Sequence, residues 1–201
     1  MSLWKPRDVM IDIETLATRN DAAIIQIGAC TFDEKNTFLV SIDQNFYNET
    51  DHPYHVDPRT VEWWASQGEE AQESLNMNVV SNPGSALMEF DKWLKSTGFQ
   101  KSYKFGSRGI WANGVQFDCS ILRYAYSQEQ GHNDACPWHY RQEKDLRTLY
   151  GMFHKVAGTR KVDQTGLVKH RADHDCIRQA RGTKLILDHL HKALSDMASK
   201  S

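Results

Sequence analysis

The apolar positions fall into two regimes. Near the start they gather in short β-rich runs: Val9-Met10-Ile11-Asp12-Ile13-Glu14, then residues 24–32, then residues 37–42. Polar breaks at Thr18-Arg19-Asn20-Asp21 and Asp33-Glu34-Lys35-Asn36 separate the runs, so the pattern predicts an antiparallel meander. Helical spacing takes over downstream. Asp57-Pro58 has the form of an N-cap followed by proline at the first helical position, opening a helix through Trp63 and Trp64. Asn82-Pro83 repeats that form before a helix over 84–97, with Leu87, Phe90 and Leu94 on one face and Gly98 as its stop. A short strand is expected over 108–113. Helices are expected over 118–130, over 144–156, and from about Arg171 to about Met197 with a bend at Gly182. Strands first, then strands interleaved with helices, describe an α/β domain with a mixed central sheet and helices packed on it.

Composition narrows the class without choosing a function. A chain of 201 residues suits one domain, here 1–201, and can bury a core without disulfides. No apolar run is long enough to span a bilayer, so no membrane partner is expected. The opening Met1–Asp8 lacks the apolar core of a leader peptide, and a cytoplasmic location is expected. Cys30, Cys119, Cys136 and Cys176 form no close pair and read as reduced, buried thiols. His132, Cys136 and His139 lack a fourth ligand for zinc. The net charge of −2 does not suit a protein that coats long nucleic acid. It is compatible with an enzyme that grips a few terminal nucleotides, because bound cations invert the charge of an acidic site.

Three segments hold candidate chemistry. In a strand, residues two apart share a face, so Asp12 and Glu14 point together and repel. A divalent cation would remove that penalty; an edge strand with a solvated acidic face is the plain alternative. In Asn113-Gly114-Val115-Gln116-Phe117-Asp118 a strand ends, a glycine turns the chain, and Asp118 starts a helix. That is a rigid place for a third carboxylate, or an ordinary acid at a helix N-terminus. Asp175 lies five residues after His170, so the two converge only if His170 sits on the incoming turn and Asp175 inside the helix. Four carboxylates suit magnesium or manganese, and a histidine titrating near neutrality can take a proton from water. The adjacent His174 is a second histidine of the same segment. One of Trp63 and Trp64 must face outward and could stack on a base. Gln26 would reach the site through the second strand, and Arg147 and Arg178 are candidate phosphate contacts. The polar stretch 45–58 is either a substrate-flanking loop or a surface excursion.

Asp12-x-Glu14, Asn113-x-x-x-Phe117-Asp118 and His170-x-x-x-x-Asp175 together resemble the three motifs of the DnaQ-like DEDDh exonuclease superfamily, in the right order. The related branch with tyrosine four residues before the last aspartate is not matched, since Arg171 stands there. Ala22–Ala29, Val61-Glu62-Trp63-Trp64 and Trp111-Ala112-Asn113-Gly114 resemble a subgroup containing phage exonuclease A, prophage exonuclease-like and ribonuclease AS-like proteins. The resemblance implies a ribonuclease H-like fold, two Mg2+ or Mn2+ ions, and release of 5′-mononucleotides from the 3′ end of single-stranded RNA or DNA. Asp12, Glu14, Asp118 and Asp175 would hold the metals and His170 would be the general base. The backbone of Thr15 and Leu16 would approach the terminal nucleotide, with Leu16 wedged against its base, and Asn113 and Phe117 would flank it. Relatives of this subgroup suggest a homodimer, while an acidic domain of this size suits a monomer equally. A non-catalytic nucleic-acid-binding module and a ribonuclease H-type endonuclease are the competing expectations.

Overall fold

The computed structural model describes residues 3–48, 51–157 and 162–199, with the side chains of 154–157 outside the description. Met1 and Ser2 of the opening segment, and Glu49 and Thr50 of the polar stretch, lie outside the described residues. The predicted meander forms from β1 (Val9–Thr15), β2 (Ile24–Thr31) and β3 (Thr37–Ile42), each antiparallel to the next. A two-residue strand, β4 (Val79–Val80), adds parallel to β3. On the other side β5 (Ile110–Ala112) and β6 (Glu143–Asp145) run parallel to β1, giving the order β4-β3-β2-β1-β5-β6. β1 is therefore a central strand, and its acids do not stand on a solvated sheet edge.

Among the described residues six α-helices flank the sheet: α1 (Pro58–Ala65), α2 (Glu69–Ser74), α3 (Pro83–Ser96), α4 (Asp118–Gln130), α5 (Leu146–Ala157) and α6 (Ala172–Ala198). Asp57 and Asn82 cap α1 and α3, accepting from the N–H groups of Arg59 and Ser85, and proline follows each cap. Gly131 ends α4 in the left-handed conformation at φ 71°. The pleat of β1 divides the interior. Val9, Ile11 and Ile13 join the larger core with Leu87, Phe90, Ile121 and Leu122 from α3 and α4. Met10 faces the other way, into a smaller core with Cys30, Phe32, Trp111, Cys176 and Ala180 beneath α6. Asp12 and Glu14 share Met10's face, so the strand's own alternation delivers both carboxylates to α6.

β4 and α2 were not expected from the sequence, and three expected elements differ in extent or shape. The helix expected from Lys144 begins two residues later, because Glu143–Asp145 pairs as an edge strand with β5. The strand expected over 108–113 shortens to Ile110–Ala112. α6 runs unbroken through Gly182 for 27 residues, about 40 Å at 1.5 Å per residue. Gly182 is there for clearance: a Cβ on it would meet the Tyr150 hydroxyl at 2.1 Å. Gly28 does the same on β2, where a Cβ would lie 2.2 Å from the backbone carbon of Ala172. The absence of a side chain at Gly28 thus lets the first turn of α6 rest on the sheet beside the acids.

Candidate active site

β1, the turn after β5 and the entry to α6 meet at one end of the sheet. Asp12, Glu14, Asn113, Phe117, Asp118, Arg147, His170, Asp175, Arg178 and Gln179 surround a cavity of about 210 Å3. Each arrives for a local reason. Asp118 opens α4 after a tight turn in which the N–H groups of Phe117 and Asp118 donate to Gly114 O, and the N–H of Val115 donates to Asp145 Oδ2. The N–H of Ile13 then donates to Asp118 Oδ1 at 3.3 Å, tying α4 to β1 between the two acids. His170 occupies the turn before α6 at φ 60°, a left-handed conformation in which histidine is enriched among non-glycine residues. Asp175 lies in the first turn of α6, where the backbone N–H and the ring of His170 both favour its charged form. Ligand atoms of Glu14, His170 and Asp175 lie within 4.8 Å of one another.

The charge of this centre is unbalanced. Burial first, then the carboxylates of Asp118, Glu14 and Asp175, hold the Asp12 pKa well above its ordinary value. Burial with Asp175 and Asp118 pushes Glu14 up to about 8. Burial raises Asp118 to about 7, against the pull of the Ile13 N–H and the Arg147 cation. Asp175 is raised by burial although Arg178 Nη2 stands 2.9 Å from its Oδ1. Gln179 Oε1 is a buried acceptor without a hydrogen-bond donor among the described residues. Four clustered carboxylates, balanced at Asp175 by one arginine, are what divalent cations satisfy, so the donor set fits magnesium or manganese. His170 lies on the neutral side, its pKa lowered by partial burial and Lys169. His174 lies off the cavity, and its Nδ1 accepts from the N–H of Val168 at 2.8 Å, a structural contact.

A second cavity of about 510 Å3 adjoins the acidic one and shares Ile13, Glu14 and Phe117 with it. Thr15, Ala17, Thr18, Asp57, Arg59, Thr60, Trp63 and Trp64 complete its wall. The tryptophan pair divides as helix geometry requires. Trp64 is buried and its indole N–H donates to Thr15 O at 2.9 Å, while Trp63 stays 43% exposed in the groove. The Trp63 ring stands edge-on to His170 at 5.1 Å, so α1 braces the histidine. Through Asp57 the polar stretch 45–58 reaches this groove, while its Tyr47 is anchored in the core.

Two expected contacts are corrected. Leu16 is 4% exposed within the larger core, with its N–H donating to Ala23 O and its carbonyl accepting from Asp57 N–H, so its side chain cannot wedge against a base. Ala17 and Thr18 line the groove in its place. Gln26 is fully buried: its amide donates to Ser41 Oγ and Ser74 O, and its oxygen accepts from the N–H of Ala172. It anchors the start of α6 and does not face the cavity. Gln179 was missed by sequence reasoning. It donates to Asp12 Oδ1 at 2.7 Å, and its position one turn after Asp175 was the signal available. His132, Cys136 and His139 assemble no three-ligand group among the described residues.

The mixed six-stranded sheet flanked by helices is an α/β architecture consistent with the ribonuclease H-like fold, with the acidic centre at one end of it. More narrowly, the chain belongs to the Rv2179c-like 3′-5′ exoribonuclease domain family, whose model matches residues 7–187. Among solved structures it is similar to the crystal structure of cell-death related nuclease 4 (CRN-4), with a TM-score of 0.55 and 14% sequence identity, a likeness of fold. That match covers 91% of this chain and 64% of the nuclease's chain, so the chain spans less than two thirds of that protein's length. No curated protein matches the sequence. Among the described residues no helix is long and apolar enough to cross a membrane.

Proposed function

We propose that the protein is a metal-dependent 3′-5′ exonuclease of the DEDDh type that releases 5′-mononucleotides from single-stranded ends, with RNA as its substrate. The observation that carries this reading is the gathering of Asp12, Glu14, Asp118, His170 and Asp175 around one cavity. The family description supports RNA over DNA. Asp12, Glu14, Asp118 and Asp175 would hold two Mg2+ or Mn2+ ions, which when bound lower the pKa of water and offset charge on the leaving oxygen. Neutral His170 takes the proton of the attacking water, its ring kept in place by the edge-on rings of Trp63 and Trp64. The new bond forms between water oxygen and the terminal phosphorus. The bond from phosphorus to the preceding nucleotide's O3′ breaks, and that oxygen leaves as a hydroxyl once protonated. Arg147 and Arg178 face the same cavity and offset phosphate charge. The groove beside Trp63 receives the terminal nucleoside.

The test is digestion of RNA and DNA, single- and double-stranded, labelled at either end, with magnesium or manganese and with chelator. Mononucleotides should appear from the first time point, from the 3′ end only, and vanish in chelator. Internal fragments would replace this reading with an endonuclease, and binding without cleavage under every metal would replace it with a binding module.

A further inference from the structure

The far end of the sheet carries a feature that the reaction does not use. Arg147 and Asn113 follow β6 and β5 and border the acidic cavity. The segments 100–109 and 137–142 lead into those strands, so they stand at the opposite end. Tyr103 and Tyr140 are each 60% exposed there, and their rings flank the His139 imidazole at 4.3 and 4.2 Å. The guanidinium of Arg141 lies 5.8 Å over the Tyr140 ring. Lys104 is exposed beside Tyr103, and Phe105 beyond it is 97% exposed. Lys5 bonds the same loop at Gly106 O, and Arg108 bonds Arg7 O. The carboxylates of this end are engaged: Asp8 is buried beneath Lys144, Asp134 is held by Lys101, and Asp33 accepts from Thr31. Exposed aromatic rings with Lys104 and Arg141 beside them match stacked bases and a phosphate backbone. A protein-docking site has instead a contiguous apolar centre depleted of charge.

We infer that the Tyr103–His139–Tyr140 row, with Lys104 and Arg141, is a second contact for single-stranded nucleic acid that holds the body of the strand whose 3′ end occupies the acidic cavity. This rests on the exonuclease reading above. Between Arg141 and Arg147 only Glu143–Asp145 is strand, flanked by 3-10 and α-helical steps, so the path along the chain is roughly 15 Å. A stacked single strand covers that distance in about four to five nucleotides beyond the one in the cavity. Shorter substrates therefore reach the cavity alone, and longer ones engage both sites.

The experiment pairs wild type with a Tyr103→Ala/Tyr140→Ala variant, both side chains being exposed, and verifies equal unfolding temperatures. Binding of labelled oligoribonucleotides of about four and about 20 nucleotides is followed by fluorescence anisotropy in chelator, and turnover of the short one is followed with metal. The variant should bind the long strand about tenfold or more weakly and handle the short one like wild type. An unchanged affinity for the long strand in the variant would overturn the inference, as would a wild type that binds both lengths equally. Failure of the exonuclease reading would look different: wild type would release no mononucleotide from the short strand.

Discussion

Asp12 sits among three other carboxylates and accepts one hydrogen bond, from Gln179. Asp12→Asn keeps the shape and removes a charge that the apo fold tolerates poorly. Activity should fall by more than the roughly 10–100-fold that follows loss of a supporting partner at a metal site. The metal-free unfolding temperature should stay level or rise. Wild-type turnover in this variant would remove Asp12 from the centre. His170 calls for a different substitution, because its φ of 60° penalises alanine; asparagine tolerates that conformation. His170→Asn should lower kcat about 10²–10⁴-fold while retaining a metal-induced rise in unfolding temperature. If turnover persists undiminished, another group removes the proton. At this scale the sequence was most legible where spacing alone dictates geometry. Asp12 and Glu14 two apart on a strand had to share a face, though spacing alone left a solvated edge open, and His170 five before Asp175 could converge only across a helix start. Gln26 and Leu16 misled because a polar side chain on a strand and an apolar one beside a motif look the same whether they face a cavity or a core. Only the packing of α6 over β2, and of α1 over the end of β1, decides that.

The elements were legible in proportion to their length and to the clarity of their ends. α1 and α3 announced themselves with Asx-Pro caps, and α4 with its closing glycine. β4 and β6 are two and three residues long, too short for any periodicity, and they exist because a neighbouring strand offers free hydrogen-bonding groups. α2, six residues with two glutamates in its first turn, has no apolar stripe to mark it. The contact of greatest consequence, α6 on β2, depends on Gly28, which the sequence presents as one glycine within an apolar strand. Gly28→Ala would drive a methyl group into the backbone of Ala172 and Asp173. Neither backbone can move without shifting His170 and Asp175, so the variant should lose about 1–3 kcal/mol of stability and most of its activity together. Denaturant unfolding and turnover measured on the same preparation would check this. A fully active Gly28→Ala protein would mean that the approach of α6 is looser than described.

For the molecule as a whole the site is a store of unfavourable charge, and its effect on stability has a definite sign. Glu14 rises from an ordinary 4.5 to about 8 and Asp118 from 3.8 to about 7, with Asp12 and Asp175 shifted the same way. A carboxyl whose pKa is higher folded than unfolded binds more protons in the folded state between the two values. Stability must therefore fall as pH rises through that window, here from about 4 to about 8. Divalent cations bind the deprotonated groups and should reverse the trend, since protons and metal compete for the same oxygens. At a free metal concentration of 100 times the dissociation constant the gain is about 2.7 kcal/mol. For a domain of this size that corresponds to roughly 5–10 °C in unfolding temperature. Thermal unfolding in chelator should thus show a protein more stable near pH 5 than near pH 8. Magnesium or manganese should raise the unfolding temperature most at the alkaline end, and Asp118→Asn should flatten both dependences. A chelated protein that grows more stable toward pH 8 would mean that the carboxylates are paired within the chain, leaving no physical reason for cations to enter.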